Sequence, residues 1–208
     1  MSNSATDDPA PADGNNRPAV EVRTAAAAEV LKHRRLLRTA RDGQILSAVM
    51  LPLVALLPPV GYGVLTTTGR KTGKQRRKCI RVIRRGDRAY LVQLVPPHLA
   101  LTRPGAVASW VWNIRTNPHV RLRIRGGTFD GVAREIIDPA ELEQARAAIC
   151  ESVNPVDYAE ASLHLRGLPT RTKIEKLHRY WFDTGHPLVI ELVNEPRLSG
   201  GGNEPDFN

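Results

Sequence analysis

The sequence predicts an α+β protein built on a six-stranded antiparallel β-barrel with flanking helices. Short segments with β-branched or alternating apolar residues recur from residue 62 to residue 193, and glycine-containing turns separate several of them. Helix signals fall before and between these strands, without the strand-helix-strand alternation of a Rossmann fold. The 208 residues suit one globular domain and contain no internal repeat.

The two ends of the chain are predicted to lie outside that domain. Residues 1–23 are polar, rich in proline and aspartate, and lack the apolar core of a secretory signal, which is typical of a disordered tail. Residues 24–59 are expected to form N-terminal helices, and residues 60–194 the barrel domain. The Gly-rich residues 195–208 are predicted to be a second disordered tail.

The strands are predicted from their periodicity and from the turns that bound them. In the clearest hairpin, Val120, Leu122 and Ile124 alternate with arginines, so one face of the strand is expected in the core and the other in water. Gly126 and Gly127 form its turn. The predicted strands are residues 62–68, 76–84, 89–95, 120–125, 128–136 and 186–193.

The helices are predicted from capping residues and prolines. Asp138, Pro139 and Glu141 mark the strongest start, because an aspartate cap, a proline in the first turn and a glutamate three residues after the cap are all favoured there. Thr172 and Glu175 predict a capping box for the last helix. The predicted helices of the barrel domain are residues 106–115, 138–152, 154–163 and 172–184.

The positive charge is concentrated in one segment. The chain has 30 Lys and Arg residues against 21 Asp and Glu residues, a net charge of +9. Residues 70–88 hold ten basic residues and one acid, which equals the whole excess. Such a local excess indicates a small polyanionic ligand, a nucleic-acid backbone or an anionic membrane surface. No aromatic residue is interleaved with these cations, which disfavours stacking on single-stranded nucleic acid.

Cysteine and histidine spacing disfavours disulfide and metal chemistry. Cys79 and Cys150 are far apart and form no CxxC motif, so neither a disulfide framework nor a zinc site is indicated and a reducing, cytoplasmic compartment is expected. The six histidines show no HxH or HExxH spacing, and no metal site is predicted.

An apolar segment at residues 45–57 raises the question of a membrane. Its thirteen residues would span about 20 Å of helix, against about 30 Å of hydrocarbon, and prolines interrupt or end it, so a spanning helix is not expected. One interpretation is a helix packed on the domain or in a homodimer interface. The other is peripheral contact with the inner face of a membrane through residues 29–57, helped by basic residues upstream.

The turn after the first strand is the leading candidate site. Its sequence, TTTGRKTGK, resembles a phosphate loop, but three residues rather than four separate the glycines and Gln75 follows the lysine, which disfavours nucleotide hydrolysis. Glycines still permit close backbone approach, and the hydroxyls and cations could hold a phosphate. The alternative is a solvated basic turn. The candidate ligand-binding residues are Thr68, Gly69, Arg70, Lys71, Thr72, Gly73, Lys74 and Arg76.

Aromatic residues supply further candidates. Trp110 and Trp112 cannot share one helix face, so one is expected to pack inward while the other could border a planar ligand. Tyr158 and Tyr180 could each line a pocket or donate a proton, with packing as the alternative for both.

The order of these features resembles the deazaflavin-dependent nitroreductase family of split β-barrel proteins. The resemblance covers about residues 60–136 and depends on LTTTGRKTGK, a basic strand, the RRGDR turn, WVWNIRTNPHVRLRI and the GG hairpin to VAREI. It implies an FMN-binding-like split barrel that binds coenzyme F420, an 8-hydroxy-5-deazaflavin, in preference to FMN. It also implies hydride transfer from the reduced coenzyme to a small organic acceptor such as a quinone, nitro compound or enone.

The resemblance also implies roles for particular residues. The coenzyme phosphate would lie on the basic turn, with Trp110 and Asn113 close to the cofactor and Tyr158 as proton donor or pocket wall. The chain departs from the family pattern at residues 77–79 and 93–97, which puts the ring pocket in question more than the turn. Two alternatives to an enzyme are a coenzyme carrier without turnover and a basic surface for nucleic acid or anionic membrane.

Overall fold

The computed structural model describes residues 19–34 and 40–193. Its sheet is a closed six-stranded antiparallel barrel with strand order β1-β2-β3-β6-β5-β4, which confirms the predicted fold class. The strands are β1 (Tyr62–Thr68), β2 (Gln75–Arg85), β3 (Arg88–Gln93), β4 (His119–Ile124), β5 (Gly127–Glu135) and β6 (His186–Leu192).

Seven helices lie before, between and around these strands within the described ranges. They are α1 (Ala19–Val30), α2 (Ala40–Leu56), α3 (Pro97–Thr102), α4 (Ser109–Thr116), α5 (Pro139–Glu151), α6 (Pro155–His164) and α7 (Arg171–Thr184). Because α1 begins at Ala19, the expected N-terminal tail is helical over residues 19–23. Residues 1–18 and 194–208 lie outside the described residues.

Two local differences from the predicted helices have simple causes. The start of α5 is as expected, since the Asp138 carboxylate accepts from the Glu141 amide at 2.8 Å. The start of α7 was placed too late, because Thr170, not Thr172, caps it and accepts from the Lys173 amide at 3.3 Å. Helix α3 was missed, since prolines in the segment were interpreted as a loop although Pro97 occupies a first-turn position.

The core has an inner and an outer part. Inside the barrel, alternate residues of the strands are fully buried, among them Leu65, Leu91, Leu122, Phe129 and Ile190. Outside it, α5 and α7 pack on β2, β3 and β6 through a second cluster that includes Ile83, Tyr90, Ile149, Phe182 and Val189. Helices therefore cover the outer face of β2, β3 and β6, and the two ends of the barrel are left uncovered by this cluster.

Helix α2 lies on the outside of β1 and β2. The Ser47 hydroxyl accepts from the Cys79 amide at 3.0 Å and Val54 is buried, so one face of the helix is attached to the barrel. The opposite face is apolar and exposed: Leu53 is 61% exposed and Leu56 78%. Within residues 19–34 and 40–193, no helix has the length and apolar character needed to cross a bilayer.

Helix α6 is attached to the barrel by a buried polar network. The Arg81 side chain of β2 donates to the Asp157 carboxylate at 3.1 Å and to the carbonyls of Ile149 and Ser152. The Tyr62 hydroxyl lies 2.7 Å from Asp157 and 2.5 Å from Glu160. The network therefore joins the first residue of β1, the middle of β2, the end of α5 and the start of α6.

Counting protons in this network fixes the state of Glu160. One tyrosine hydroxyl can donate to only one of the two carboxyl groups, so the other contact requires a carboxylic acid as donor. Arg81 lies against Asp157 and holds the pKa of that carboxyl below its ordinary value. Burial raises the pKa of Glu160. We therefore expect Glu160 to be the protonated partner that donates to Tyr62, while Tyr62 donates to Asp157.

This assignment predicts how Glu160 couples stability to pH. The pKa of Glu160 in the folded chain lies above its ordinary value of 4.5. Its contribution to stability is therefore complete below pH 4.5 and is lost as the pH rises through the raised pKa. The free energy of unfolding falls by at most about 1.4 kcal/mol per pH unit over this range. Glu160→Gln is expected to remove this loss, because an amide also donates to Tyr62. Urea unfolding from pH 5 to 8 measures it.

The variant must be compared with the natural chain, because the buried histidines make the free energy of unfolding rise with pH, whereas Glu160 makes it fall. Desolvation lowers the pKa of His164 to about 4, so its contribution to stability grows as pH rises from there toward 6.5. The exposed Glu151→Gln serves as the matched control. A pH profile of Glu160→Gln identical to that of the natural chain would contradict the protonated state of Glu160.

Candidate functional site at the basic turn

The basic turn, residues 69–76, consists of the hydrogen-bonded loop that joins β1 to β2 and the first two residues of β2. The Gly69 amide donates to the Lys74 carbonyl at 2.9 Å, and the Gly73 amide donates to the Gly69 carbonyl at 2.7 Å. Gly73 has φ +66, in the left-handed region that glycine adopts without strain. Backbone hydrogen bonds of Gly69 and Gly73 thus close the turn.

The cations of the turn are exposed and unpaired. Arg70, Lys71, Lys74 and Arg76 all face solvent. None of them forms an ion pair with a carboxylate of the described residues. Without a counter-charge from the described residues, the turn attracts anions from solution.

The exposed basic surface is smaller than the sequence count indicated. Of the ten cations in residues 70–88, Arg81 is buried against Asp157, and Arg88 lies 3.4 Å from Glu141. Lys78 is half-buried, and desolvation lowers its pKa. The remaining accessible charge lies in two places: on the turn and the first residues of β2, and at Arg84 and Arg85 at the other end of that strand.

Asn113 connects the turn to α4. Its carbonyl accepts from the Arg70 amide at 3.1 Å, and its amide group donates to the Thr67 hydroxyl at 3.2 Å. The side chain is 7% exposed, so both contacts are shielded from water. Asn113 thus links the backbone of the turn to the end of β1, and its polar atoms are not accessible to solvent.

The two tryptophans of α4 face in different directions, as their spacing predicted. Trp110 is 8% exposed and packs in the inner core with Val111 and Ile114. Trp112 is 42% exposed, and its ring lies 5.6 Å from the Arg70 guanidinium and 4.6 Å from that of Arg115. The aromatic surface beside the turn therefore belongs to Trp112, whereas the resemblance had implied Trp110 as the tryptophan close to the cofactor.

The structure does not bring Tyr158 to the turn. It lies on α6 and is 39% exposed, next to Asp157, which contacts Tyr62 at the start of β1. The turn follows Thr68, at the other end of that strand. Six residue steps of about 3.3 Å separate the two ends, or about 20 Å. Tyr180, the other tyrosine candidate, is buried in the cluster around α7.

The sequence missed the polar network around Arg81. Asp157 and Glu160 are three residues apart on one helix, a spacing that places both carboxyl groups on one face and could have been recognised. Their partners Tyr62 and Arg81 lie 95 and 76 residues away, and nothing local signals those contacts.

Comparison with known proteins gives one family and several distant structures. The model of the F420H2-dependent quinone reductase family matches residues 41–171. An F420-H2 dependent reductase structure is 21% identical, with TM-score 0.41 over 64% of this chain and 95% of that one. A structure described as a domain-swapped dimer is 21% identical, with TM-score 0.45 over 73% of this chain and 94% of the other. A protein from Listeria innocua described as a putative pyridoxamine 5'-phosphate oxidase is 14% identical, with TM-score 0.36 over 70% and 94%.

Proposed function

The chain belongs to the F420H2-dependent quinone reductase family, and from that membership we propose that its basic turn holds the anionic side chain of the coenzyme. The protein is an F420H2-dependent oxidoreductase with coenzyme F420 as its cofactor and a small molecule as its acceptor. The bound deazaflavin supplies the hydride, and the protein supplies binding and orientation.

The donors of the turn suit this ligand. The coenzyme carries a phosphodiester and an oligoglutamate tail, so a complementary site needs several cations without protein counter-charges. The exposed, unpaired cations of the turn meet that need, and they are the observation on which the proposal depends. The residues proposed to hold the phosphate and the start of the tail are Thr68, Gly69, Arg70, Lys71, Thr72, Gly73, Lys74 and Arg76.

The residues of α4 have different proposed roles. Asn113 acts as a positioning residue, because its contacts with Arg70 and Thr67 fix the shape of the turn. Trp110 supports α4 from the core and thereby the place of Asn113. Trp112 presents an exposed ring beside Arg70 and can cover the bound side chain.

Removing the Asn113 side chain is expected to weaken coenzyme binding. Asn113→Ala leaves the Arg70 amide and the Thr67 hydroxyl without their partner, and the turn loses order, which is expected to raise the Kd of the reduced coenzyme roughly five- to tenfold. Fluorescence titration measures the Kd. Asn117→Ala, at the end of the same helix, is the matched control and is expected to bind normally. Equal Kd values for the two variants would contradict the positioning role.

A catalytic role for Tyr158 stays a prediction. It requires the acceptor to reach α6, about 20 Å along β1 from the turn. If Tyr158 donates a proton to the acceptor, Tyr158→Phe is expected to lower kcat roughly 100-fold and leave the Kd of the coenzyme unchanged. An unchanged kcat would remove Tyr158 from the reaction.

We propose a quinone as the acceptor, supported by the description of the family that matches. The test is to mix the protein with reduced coenzyme and a soluble naphthoquinone without oxygen and to follow the deazaflavin absorbance. Protein-dependent oxidation of the coenzyme is the expected result. Nitroaromatics and enones, tested in parallel, show whether the site prefers quinones. No oxidation of the coenzyme in the presence of the quinone would contradict the proposal.

We further propose peripheral contact of α2 with the inner face of the cytoplasmic membrane. Val49, Leu53 and Leu56 expose an apolar stripe at helical spacing, and the exposed Arg41 and Arg77 flank the helix. The two cysteines are free, which suits a reducing cytoplasm. A second copy of the chain is the alternative occupant of this stripe.

Vesicle flotation separates these occupants. Leu53→Glu is expected to abolish flotation with anionic vesicles and to leave the mass of the particle in solution unchanged. The Leu163→Glu variant, at an exposed position on α6, is the matched control. A change from dimer to monomer in Leu53→Glu, without vesicle binding by the natural chain, would assign the stripe to a homodimer.

A further inference from the structure

Two adjoining clefts lie at the end of the barrel opposite to the basic turn. Their volumes are about 410 Å³ and about 290 Å³, and they share Pro59, Ile124 and Arg125 as lining residues. One opens between the end of α2 and the hairpin that joins β4 to β5. The other opens between the end of β2 and the connection from α5 to α6. Together they form a continuous arginine cleft.

The charged groups of the arginine cleft all have one sign. Arg84 and Arg85 come from the end of β2, and Arg123 and Arg125 from the end of β4. No aspartate or glutamate lines either cleft. No ion pair joins any of these four arginines to a carboxylate within residues 19–34 and 40–193. Two of them have neutral partners: Arg84 donates to the Gly86 carbonyl at 2.8 Å and lies over the Phe129 ring, and Arg85 lies 3.4 Å from the Ser152 hydroxyl. Four arginines thus line the cleft without a carboxylate from the described residues.

Asn154, the N-cap residue of α6, forms part of the wall of the smaller cleft. Its Nδ2 is buried, has no hydrogen-bond acceptor among the described residues, and lies against Gly61, where an added Cβ would be 2.4 Å from it. The amide is therefore enclosed behind the wall, and the arginines are the groups that a ligand in the cleft can reach.

We propose that the arginine cleft is a second anion site that binds the phosphate group of a phosphate ester. Guanidinium forks pair with phosphate oxygens through two parallel hydrogen bonds, which suits an arginine-lined cleft to this group. Leu57, Pro58 and Pro59 form an apolar rim for the remainder of the ligand. The site lies about 20 Å from the basic turn along β1 and does not depend on the coenzyme. The ester is either a free metabolite or the headgroup of an anionic lipid.

Calorimetry with glycerol 3-phosphate tests the site. The titration uses a chain in which Lys74→Gln and Arg76→Gln remove two of the four cations of the basic turn, and the cleft variant is compared with that chain so that the difference in heat reports on the cleft. Adding Arg85→Gln and Arg125→Gln is expected to weaken binding at least tenfold, since both arginines are exposed and their loss leaves the fold intact. Lys176→Gln and Arg179→Gln on α7 are the matched control. Absence of heat, or heat unaffected by the cleft variant, overturns the proposal.

A vesicle arm distinguishes the two sources of phosphate. If a lipid headgroup is the ligand, the same cleft variant sediments less with phosphatidylglycerol vesicles, and glycerol 3-phosphate competes with them. If a free ester is the ligand, the soluble titration responds to the variant and sedimentation does not. Coenzyme oxidation by the cleft variant in the chain with an intact turn is expected to be unchanged, because the two sites are separate; a loss of coenzyme binding there would overturn their separation.

Discussion

Arg81→Met is expected to destabilise the fold by about 3 to 5 kcal/mol, because it leaves an ionised carboxylate buried without its cation. Arg81 donates to Asp157 at 3.1 Å, to the Ile149 carbonyl at 3.1 Å and to the Ser152 carbonyl at 2.6 Å. Its side chain is 5% exposed and that of Asp157 is fully buried, so water cannot replace the lost partner. Urea unfolding at pH 7 measures the change in the free energy of unfolding.

Two further variants show whether the buried charge is the cause. Adding Asp157→Asn to Arg81→Met removes the unpaired carboxylate and is expected to recover part of the lost stability. Arg121→Met breaks an exposed pair with Asp130 and is expected to cost less than about 1 kcal/mol. If the Arg81 and Arg121 variants lose equal stability, the network does not hold α6 to the barrel.

The fold could be predicted in detail because its signals are local. The alternation of Val120, Leu122 and Ile124 with arginines and the glycines at residues 126 and 127 defined the β4–β5 hairpin, which the register of the sheet confirms. Asp138 defined the start of α5. The two errors were also local. The prolines before α3 were interpreted as a loop, and α7 is capped by Thr170 and not by the predicted Thr172.

The candidate site could be predicted only in part, because burial is not local. The TTTGRKTGK motif identified an exposed basic turn, which the structure describes as such. The sequence counted Arg81 among the ten cations of residues 70–88, although the structure places it in a buried network with α6. It likewise could not show that Asn113 faces the backbone of the turn, since this depends on how α4 packs against β1.

Among the variants considered, removing two of the four cations of the turn is expected to produce the largest loss of coenzyme affinity. Lys74→Gln together with Arg76→Gln removes two exposed, unpaired cations from the proposed phosphate site. At roughly 1.0 to 1.4 kcal/mol for each exposed charge-assisted contact, the Kd of the reduced coenzyme is expected to rise about 30- to 100-fold. Binding by the natural chain should also weaken with added salt, because the contacts lie in water. Fluorescence titration at two ionic strengths measures both effects.

A matched variant separates a specific contact from the effect of net charge. Lys176→Gln with Arg179→Gln removes the same two charges from the exposed side of α7 and is expected to change the Kd less than twofold, since charges beyond about one Debye length are screened. The turn variant, unlike it, should also lose about half of its salt dependence, since Arg70 and Lys71 remain. If both variants weaken binding equally, the coenzyme senses only the overall charge of the protein, and the tail of the deazaflavin lies elsewhere than on the turn.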